Sequence, residues 1–264
     1  MAQALKKHTA HLVFGADRCE ETLRTALSEG CIDGALTEQT IARCDLLFIA
    51  LYPQAAIDTV KKWAAQIKRG ACVVDLCGVK RAIEDTLAPL AREHGFLYIG
   101  GHPMAGREVS GYTAARADLF EGASMILTPD ADAPPSLLES LESLFLSIGF
   151  RCVTFSTPED HDRIIAYTSQ LAHVLSSAYV KSPTALMHRD FSAGSFADMT
   201  RVASLNEAMW TELFLLNRDF LADEVDALCG RLSDYSKALR AQDAQALKRL
   251  LAEGSERKRA LQRD

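Results

Sequence analysis

The chain has 264 residues, of which 48% are hydrophobic and 24% are charged, the ordinary balance of a globular protein. The formal net charge of −6 comes without a block of lysine or arginine, so the sequence predicts no nucleic-acid-binding surface. The longest apolar run, residues 46–52, is too short to cross a bilayer, and the N-terminus shows no signal-peptide pattern. We therefore predict a cytoplasmic protein that does not bind membranes.

Seven cysteines are scattered along the chain without any Cys-x-x-Cys pair. This pattern indicates neither a disulfide framework nor a zinc site, and we expect no metal. Cys77 alone lies in a glycine-containing turn, where packing is the favoured interpretation and a functional role is the alternative.

Residues 1–156 are predicted to form an α/β domain, because nearly all-apolar strands alternate in them with helices. The predicted strands cover residues 11–16, 46–51, 71–76, 96–99, 124–127 and 151–155. The predicted helices cover residues 20–29, 54–68, 81–94 and 136–148. Such alternation is typical of a parallel sheet covered by helices on both faces.

Residues 157–264 are predicted to form an all-α second domain, because no further strand-like run occurs in them. Thr157 and Pro158 make a good helix start, with a capping hydroxyl followed by proline at the first helical position. Asn206 can begin another long helix. We interpret the polar, basic tail after Gly254 as a solvated helix end.

Residues 100–111, with the sequence Gly-Gly-His-Pro-Met-Ala-Gly-Arg-Glu-Val-Ser-Gly, contain four glycines and one imidazole directly after a predicted strand. We predict a loop at the edge of the sheet, where open α/β sheets bind small molecules. His102 is therefore the first candidate for chemistry. Lys80 is expected near the same edge, although a solvated lysine at a helix start is an equally good interpretation.

A polar stripe interrupts the apolar helix that is predicted after residue 157. On a regular helix Asp162, Ser169 and His173 share one face, and Gln170 lies beside it. The stripe is either the wall of a site or a buried hydrogen-bond network. Arg201 follows among apolar neighbours, so we expect its guanidinium to pair with a carboxylate, either that of Asp162 or that of a ligand.

Asp17 ends a predicted strand, where a dinucleotide-binding fold places the acid that accepts the ribose hydroxyls of NAD. In that fold a first strand and a glycine-rich phosphate loop precede the acid by about 20 to 30 residues. Only sixteen residues precede Asp17 here, and the sequence contains no Gly-x-Gly-x-x-Gly motif.

Six separated motifs together resemble the prephenate dehydrogenase family of tyrosine biosynthesis. They comprise residues 75–80, 100–111, 118–122 with 126–129, 161–162, 169–173, and 196–201 with 209–210. The resemblance implies a Rossmann-like, NAD-binding α/β domain over residues 1–156 and a helical substrate and dimerisation domain over residues 157–264. It also implies a homodimer that converts prephenate to 4-hydroxyphenylpyruvate by oxidative decarboxylation, with hydride transfer to NAD.

The resemblance also implies roles for individual residues. His102 would be the catalytic base that accepts the proton of the ring 4-hydroxyl. The residues implied to bind or surround the substrate are Arg201, His173, Gln170, Lys80, Asp162 and Ser169. The residues implied to contact NAD are Asp17, Cys77 and Gly78.

Three departures from the family pattern stand out. Gly78 replaces the commonest serine, so a hydroxyl that could assist His102 is absent, and Gln170 replaces a frequent histidine. Residues 2–7 resemble the second half of the family's first helix, so we expect the natural gene product to start further upstream and to supply the first strand and the phosphate-binding glycines. The alternatives are an arogenate dehydrogenase, a non-catalytic member that binds substrate but not NAD, and another small-acid dehydrogenase.

Overall fold

The computed structural model of the chain describes residues 1–106 and 111–262. Residues 107–110, part of the predicted loop around His102, and residues 263–264 lie outside the described residues. The backbone contacts divide the chain into two compact units, Met1–Asn217 and Arg218–Asp264. The sequence-based boundary between residues 156 and 157 stays a prediction.

The first unit contains two sheets. A two-stranded parallel sheet pairs β1 (Phe14–Gly15) with β2 (Gly34–Ala35). A five-stranded sheet has the strand order β3-β4-β5-β6-β7, formed by Leu46–Ile49, Cys72–Asp75, Leu97–Pro103, Ser124–Pro129 and Cys152–Phe155. The pairs β3–β4, β4–β5 and β6–β7 are parallel, whereas β5 and β6 are antiparallel. The α/β class is confirmed, with a mixed sheet in place of a purely parallel one.

The helices of this unit follow the strands closely. The helices before residue 150 are α1 (Ala2–His8), α2 (Glu20–Ser28), α3 (Glu38–Ile41), α4 (Pro53–Trp63), α5 (Arg81–His94) and α6 (Pro135–Ser147). The later ones are α7 (Pro158–Ile165), α8 (Ala172–Tyr179), α9 (Gly194–Thr200) and α10 (Glu207–Leu216). Short 3₁₀ turns cover Tyr112–Ala114 and Pro183–Met187.

The five-stranded sheet is buried on both faces. Successive side chains of a strand point to opposite faces, so neighbouring residues of β4 join different apolar clusters. Val73 belongs to the apolar cluster that includes Ile83 and Leu87 of α5, and its neighbour Val74 belongs to the cluster that includes Phe145 of α6. Both valines are fully buried. The run of apolar residues in β4 therefore reflects a central strand, as the sequence indicates.

Strand β5 runs through the segment that the sequence pattern predicts as a loop. Gly100, Gly101 and His102 pair with Thr128, Leu127 and Ile126 of β6, so the strand continues to Pro103 instead of ending at Ile99. The prediction of a loop at residues 100–103 is wrong because it treated the glycines as turn residues. In a strand, glycine also marks a place where other groups approach the backbone closely.

Gly101→Ala is expected to lower the free energy of unfolding by roughly 1–3 kcal/mol or more, as overpacking of a core does. A methyl group at this position would lie 2.7 Å from the carbonyl oxygen of Asp75 and 2.8 Å from side-chain carbons of Val74 and Met125. The backbone of β4 cannot move aside without breaking its pairing with β5. Urea denaturation would measure the change, with Gly230→Ala as the control, because nothing lies within 4 Å of that position. Equal stabilities of the two variants would contradict this account.

The helical segment after residue 157 begins as predicted. Thr157 accepts a hydrogen bond from the backbone N–H of Asp160 through its hydroxyl oxygen, and Pro158 occupies the first turn of α7. Between α7 and α8, residues Ala166–Leu171 form a π-helical stretch. The prediction that residues 162, 169 and 173 share one face assumes a regular helix, and the helix is not regular in this stretch.

The second unit, Arg218–Asp264, contains α11 (Arg218–Arg240) and α12 (Ala244–Ala260). A short turn joins them, with Gln242 in the left-handed region at a φ of 53°. Asp243 caps α12 by accepting a hydrogen bond from the backbone N–H of Ala246. Among the described residues, the helices are all too short or too polar to span a bilayer.

Candidate active site

His102 lies near the end of β5, next to the buried end of the neighbouring strand β4. Its position along the strand is fixed from two sides, because it pairs with Ile126 of β6 and because the Lys80 ammonium donates a hydrogen bond to the carbonyl oxygen of Gly101 at 2.6 Å. The imidazole is partly buried. The sheet therefore holds this side chain in a defined place at the strand end.

His102 is joined to a second histidine. Its Nδ1 lies 2.9 Å from Nε2 of His161 on α7, and the two rings meet edge to face with centroids 5.1 Å apart. Nδ1 of His161 in turn lies 2.7 Å from Oδ1 of Asp162. Two imidazoles and one carboxylate thus form a continuous hydrogen-bonded series.

Asp162 is fully buried, and its carboxylate is surrounded by N–H donors. Oδ1 accepts from the backbone N–H of Lys80 at 2.8 Å as well as facing His161, and Oδ2 accepts from the backbone N–H and the Nε of Arg81 at 3.0 and 3.3 Å. These donors belong to the start of α5. They tie α7 to the end of the sheet that carries His102.

The protonation of these groups follows from their surroundings. Burial lowers the pKa of His102 well below its ordinary value, and His161 and Lys80 lower it further. Burial also lowers the pKa of His161, against the opposing effect of Asp162. Burial alone would raise the pKa of Asp162, but the hydrogen bonds from His161, Arg81 and Lys80 outweigh it and lower the pKa. At neutral pH the series therefore holds two neutral imidazoles and one ionised carboxylate.

The other ring nitrogen of His102, Nε2, lies on the side of Gly78. A Cβ atom at Gly78 would lie 3.9 Å from Nε2 and 3.6 Å from a methyl carbon of Leu213 on α10. No hydrogen bond to Nε2 is made by residues 1–106 or 111–262. The position of Gly78 thus has room for a methyl group in ordinary van der Waals contact with Leu213 and with Nε2.

Lys80 lies in the interior at this edge of the sheet. Its side chain is fully buried, and its ammonium forms an ion pair with Asp75, the last residue of β4. Asp75 also accepts hydrogen bonds from the Tyr98 hydroxyl at 2.7 Å and from the backbone N–H of Cys77 at 2.9 Å. The interpretation of Lys80 as a solvated lysine is wrong, because the carboxylate of Asp75 compensates the burial of its charge.

Gln170 belongs to a buried hydrogen-bond network. Its Oε1 accepts from Nδ2 of Asn217 at 2.9 Å, and the same Asn217 amide donates to the carbonyl oxygen of Asp162 at 2.8 Å. Arg81 donates to Oδ1 of Asn217 at 2.9 Å. Of the two interpretations of the polar stripe, the buried network describes Asp162 and Gln170.

His173 and Ser169 lie in a more open part of the same helical segment. Nδ1 of His173 donates to the carbonyl oxygen of Ser169 at 2.8 Å, and its ring lies against Trp210 with centroids 4.0 Å apart. Both His173 and Ser169 are partly exposed. Arg201, directly after α9, is exposed. The Ser176 hydroxyl joins α8 to α9 by donating to the carbonyl oxygen of Met199 at 2.8 Å.

The three predicted cofactor residues have different environments. Asp17 follows β1 with an exposed side chain, and its Oδ1 accepts from the backbone N–H of Cys19 at 2.8 Å. Cys77 is buried, and its thiol donates to the carbonyl oxygen of Leu51 at 3.3 Å. Burial, together with Asp75, raises the pKa of this thiol far above its ordinary value, so it stays protonated. Gly78 borders the space at Nε2 of His102.

The structure thus brings His102, Gly78, Lys80, Asp162 and Gln170 together around the end of β4 and β5. Sequence reasoning missed His161 as a site residue, and also Asp75, Arg81 and Asn217. His161 had a usable signal, because it directly precedes Asp162 at the start of a helix. Asn217 had no usable signal in the sequence, since its hydrogen-bond partners are distant along the chain.

Comparisons with known proteins agree with this architecture. Residues 1–154 match the family model described as prephenate dehydrogenase, nucleotide-binding domain, and residues 157–253 match prephenate dehydrogenase, dimerization domain. The prephenate dehydrogenase of Lactococcus lactis subsp. cremoris is 27% identical, over 97% of this chain and 72% of the relative.

Two solved structures share the fold. The arogenate dehydrogenase of Synechocystis has a TM-score of 0.83 and 25% identity, covering 98% of this chain and 94% of the other. The prephenate dehydrogenase of Aquifex aeolicus, in complex with hydroxyphenyl propionate and NAD+, has a TM-score of 0.83 and 24% identity, with coverages of 98% and 93%. Since the two family models together cover nearly the whole sequence, the chain belongs to the prephenate dehydrogenase family.

Proposed function

We propose that this chain is an oxidoreductase that converts prephenate to 4-hydroxyphenylpyruvate by NAD-dependent oxidative decarboxylation. The observation that carries the proposal is the neutral imidazole of His102, whose Nε2 lies on the side of Gly78 and accepts no hydrogen bond from residues 1–106 or 111–262. Proton abstraction from a ring hydroxyl needs a neutral imidazole with one ring nitrogen free to accept the proton.

The residues present suit NAD at both its adenosine end and its nicotinamide end. The exposed carboxylate of Asp17 after β1 suits the ribose hydroxyls of the adenosine, and Gly78, with its neighbour Cys77, suits the nicotinamide end beside His102. The 264 residues contain no Gly-x-Gly-x-x-Gly motif for the pyrophosphate. When bound, NAD supplies the acceptor for the hydride that leaves C4 of the substrate.

In the proposed reaction His102 takes one proton from the substrate and later returns it. As the hydride leaves C4, Nε2 accepts the proton of the 4-hydroxyl, and the C4–O bond becomes a carbonyl. Loss of the ring carboxylate as CO₂ then leaves the bonding electrons in the ring and makes it aromatic. The proton on Nε2 can return to the oxygen, which is now phenolic, so His102 ends the reaction neutral.

The remaining residues of the proposal bind the substrate directly or shape its pocket. Arg201 would bind a substrate carboxylate, and the partly exposed His173 and Ser169 would line the pocket. Lys80, Asp162 and Gln170 are fully buried, so we propose that they act by holding the pocket in shape. The match to a dimerisation domain over residues 157–253 supports a homodimer, which light scattering would test.

Turnover on two substrates tests the proposal and its nearest alternative. With NAD present, the chain is expected to form NADH from prephenate with a larger kcat/KM than from arogenate. The reverse order would favour arogenate oxidation, the activity named for the Synechocystis protein of the same fold. Titration of NAD against the same preparation tests the non-catalytic alternative, in which the protein binds substrate but not NAD. Binding of NAD would exclude that alternative. Binding of NAD without turnover of either substrate would contradict the proposed function.

A further inference from the structure

His102 can act as a base through Nε2 only if its single ring proton is on Nδ1. A neutral imidazole has one donor nitrogen and one acceptor nitrogen, and which one carries the proton depends on the hydrogen bonds around the ring. Gly78, which lies beside Nε2 of His102, has no side chain that could hydrogen-bond to the ring. The selection of the tautomer must therefore come from another contact.

The donors around Asp162 determine the direction of the whole series. The carboxylate accepts from the backbone N–H groups of Lys80 and Arg81 and from Nε of Arg81, and an ionised carboxylate can only accept. Nδ1 of His161, 2.7 Å away, must then carry the proton that it shares with Asp162. Neutral His161 consequently has its lone pair on Nε2.

The same reasoning applies to the hydrogen bond between His161 and His102. Since Nε2 of His161 is an acceptor, Nδ1 of His102 at 2.9 Å must be the donor. The lone pair of His102 is thereby on Nε2, on the side of Gly78. We infer that His161 and Asp162 are positioning residues, which hold His102 in the Nδ1–H tautomer that can accept the substrate proton.

This inference rests on the proposed function, because it concerns the base of that reaction. It differs from the sequence prediction for Asp162, which gave it a role in substrate binding with Arg201. The buried, N–H-saturated carboxylate instead acts on the substrate through two imidazoles. A comparable role is known for carboxylates that orient a catalytic histidine in other enzymes.

Nitrogen NMR of the ¹⁵N-histidine-labelled chain tests the tautomers without any substrate. In the wild type at neutral pH, both His102 and His161 are expected to show a protonated Nδ1 and an unprotonated Nε2. Loss of one signal set in His102→Asn and of the other in His161→Gln assigns the two rings. A resting His102 protonated on Nε2 would overturn the inference.

Asp162→Asn should reverse the direction of the hydrogen bonds that join Asp162, His161 and His102. Within the described residues, Arg81 offers two donors at Oδ2, whereas the Lys80 N–H is the one backbone donor at Oδ1. We therefore expect the amide oxygen to stay at Arg81 and the amide NH₂ to face His161, which leaves the Lys80 N–H without its acceptor. His161 would then be protonated on Nε2 and would donate to His102, placing the proton of His102 on its own Nε2. We expect kcat to fall on the order of 10²–10⁴-fold with little change in KM. Asp160→Asn, an exposed aspartate on the same helix, is the matched control and should keep normal kcat.

A pair of substitutions at His161 covers the case in which Asp162→Asn does not fold. Glutamine can accept from Nδ1 of His102 and donate to Asp162, whereas leucine can do neither. The glutamine variant is expected to keep at least about ten times the kcat of the leucine variant. Equal kcat values in the two folded variants would overturn the inference. If the wild type turned over neither prephenate nor arogenate, the proposed function would fail, while the NMR result would still decide the tautomers.

Discussion

His102→Asn is expected to reduce kcat for NADH formation from prephenate on the order of 10²–10⁴-fold, the loss typical of a missing general base. Asparagine keeps an N–H near the position of Nδ1, so the contact with His161 can survive. It has no counterpart of Nε2, the ring nitrogen on the side of Gly78. The KM for prephenate is expected to change little.

Two controls accompany this measurement. His8→Asn makes the same change at an exposed histidine and should leave kcat and the melting temperature unchanged. Because burial, His161 and Lys80 hold the pKa of His102 well below about 6.5, the wild-type kcat/KM should stay level as the pH falls to that value and decrease only below it. Near-normal turnover by His102→Asn would refute the role of this residue as the base.

Lys80→Met is expected to lower the free energy of unfolding by roughly 3–5 kcal/mol, the cost of removing one partner of a buried ion pair. The substitution leaves Asp75 buried, and within the part of the chain that the structure describes the Tyr98 hydroxyl and the Cys77 N–H remain as its donors. It also removes the donor to the carbonyl oxygen of Gly101. Urea denaturation would measure the loss, and Lys62→Met, at an exposed lysine on α4, is the control.

The double variant Asp75→Asn with Lys80→Met separates charge from packing. Asparagine can still accept from the Cys77 N–H but carries no charge, so the double variant should recover part of the stability lost by Lys80→Met. If Lys80 instead contacts the substrate directly, Lys80→Met would raise KM with no loss of stability. That outcome would contradict the structural role that its complete burial indicates.

The parts of the site that the sequence revealed are those with local signals. Residues 100–111 identified His102 because four glycines around one imidazole are unusual, and Thr157-Pro158 identified the start of α7 because capping depends on neighbouring residues. The family was recognised from six motifs in a fixed order, and the two family models confirm it. Roles for Arg201, His173 and Ser169 remain predictions.

The parts that the sequence did not reveal depend on contacts between distant segments. Lys80 and Asp75 lie five residues apart, yet their ion pair is buried only in the folded protein, where Tyr98 and Gly101 of β5 contact it. The π-helical stretch at Ala166–Leu171, which contains Ser169, also has no pattern of its own in the sequence. Periodicity assumes a regular helix and so could not predict this change.

The sequence by itself determined the α/β class and most of its strands and helices, though not β2 and α3, and it indicated His102 as the candidate base, because these follow from local composition and periodicity. Only the tertiary structure showed that Gly100 and Gly101 belong to a strand, and that His161 and Asp162 stand behind His102. Strand pairing with β6 and the docking of α7 on the start of α5 decide both features. Such pairings join segments far apart in the chain, and the direction of a hydrogen bond depends on atoms that come together only in the folded protein.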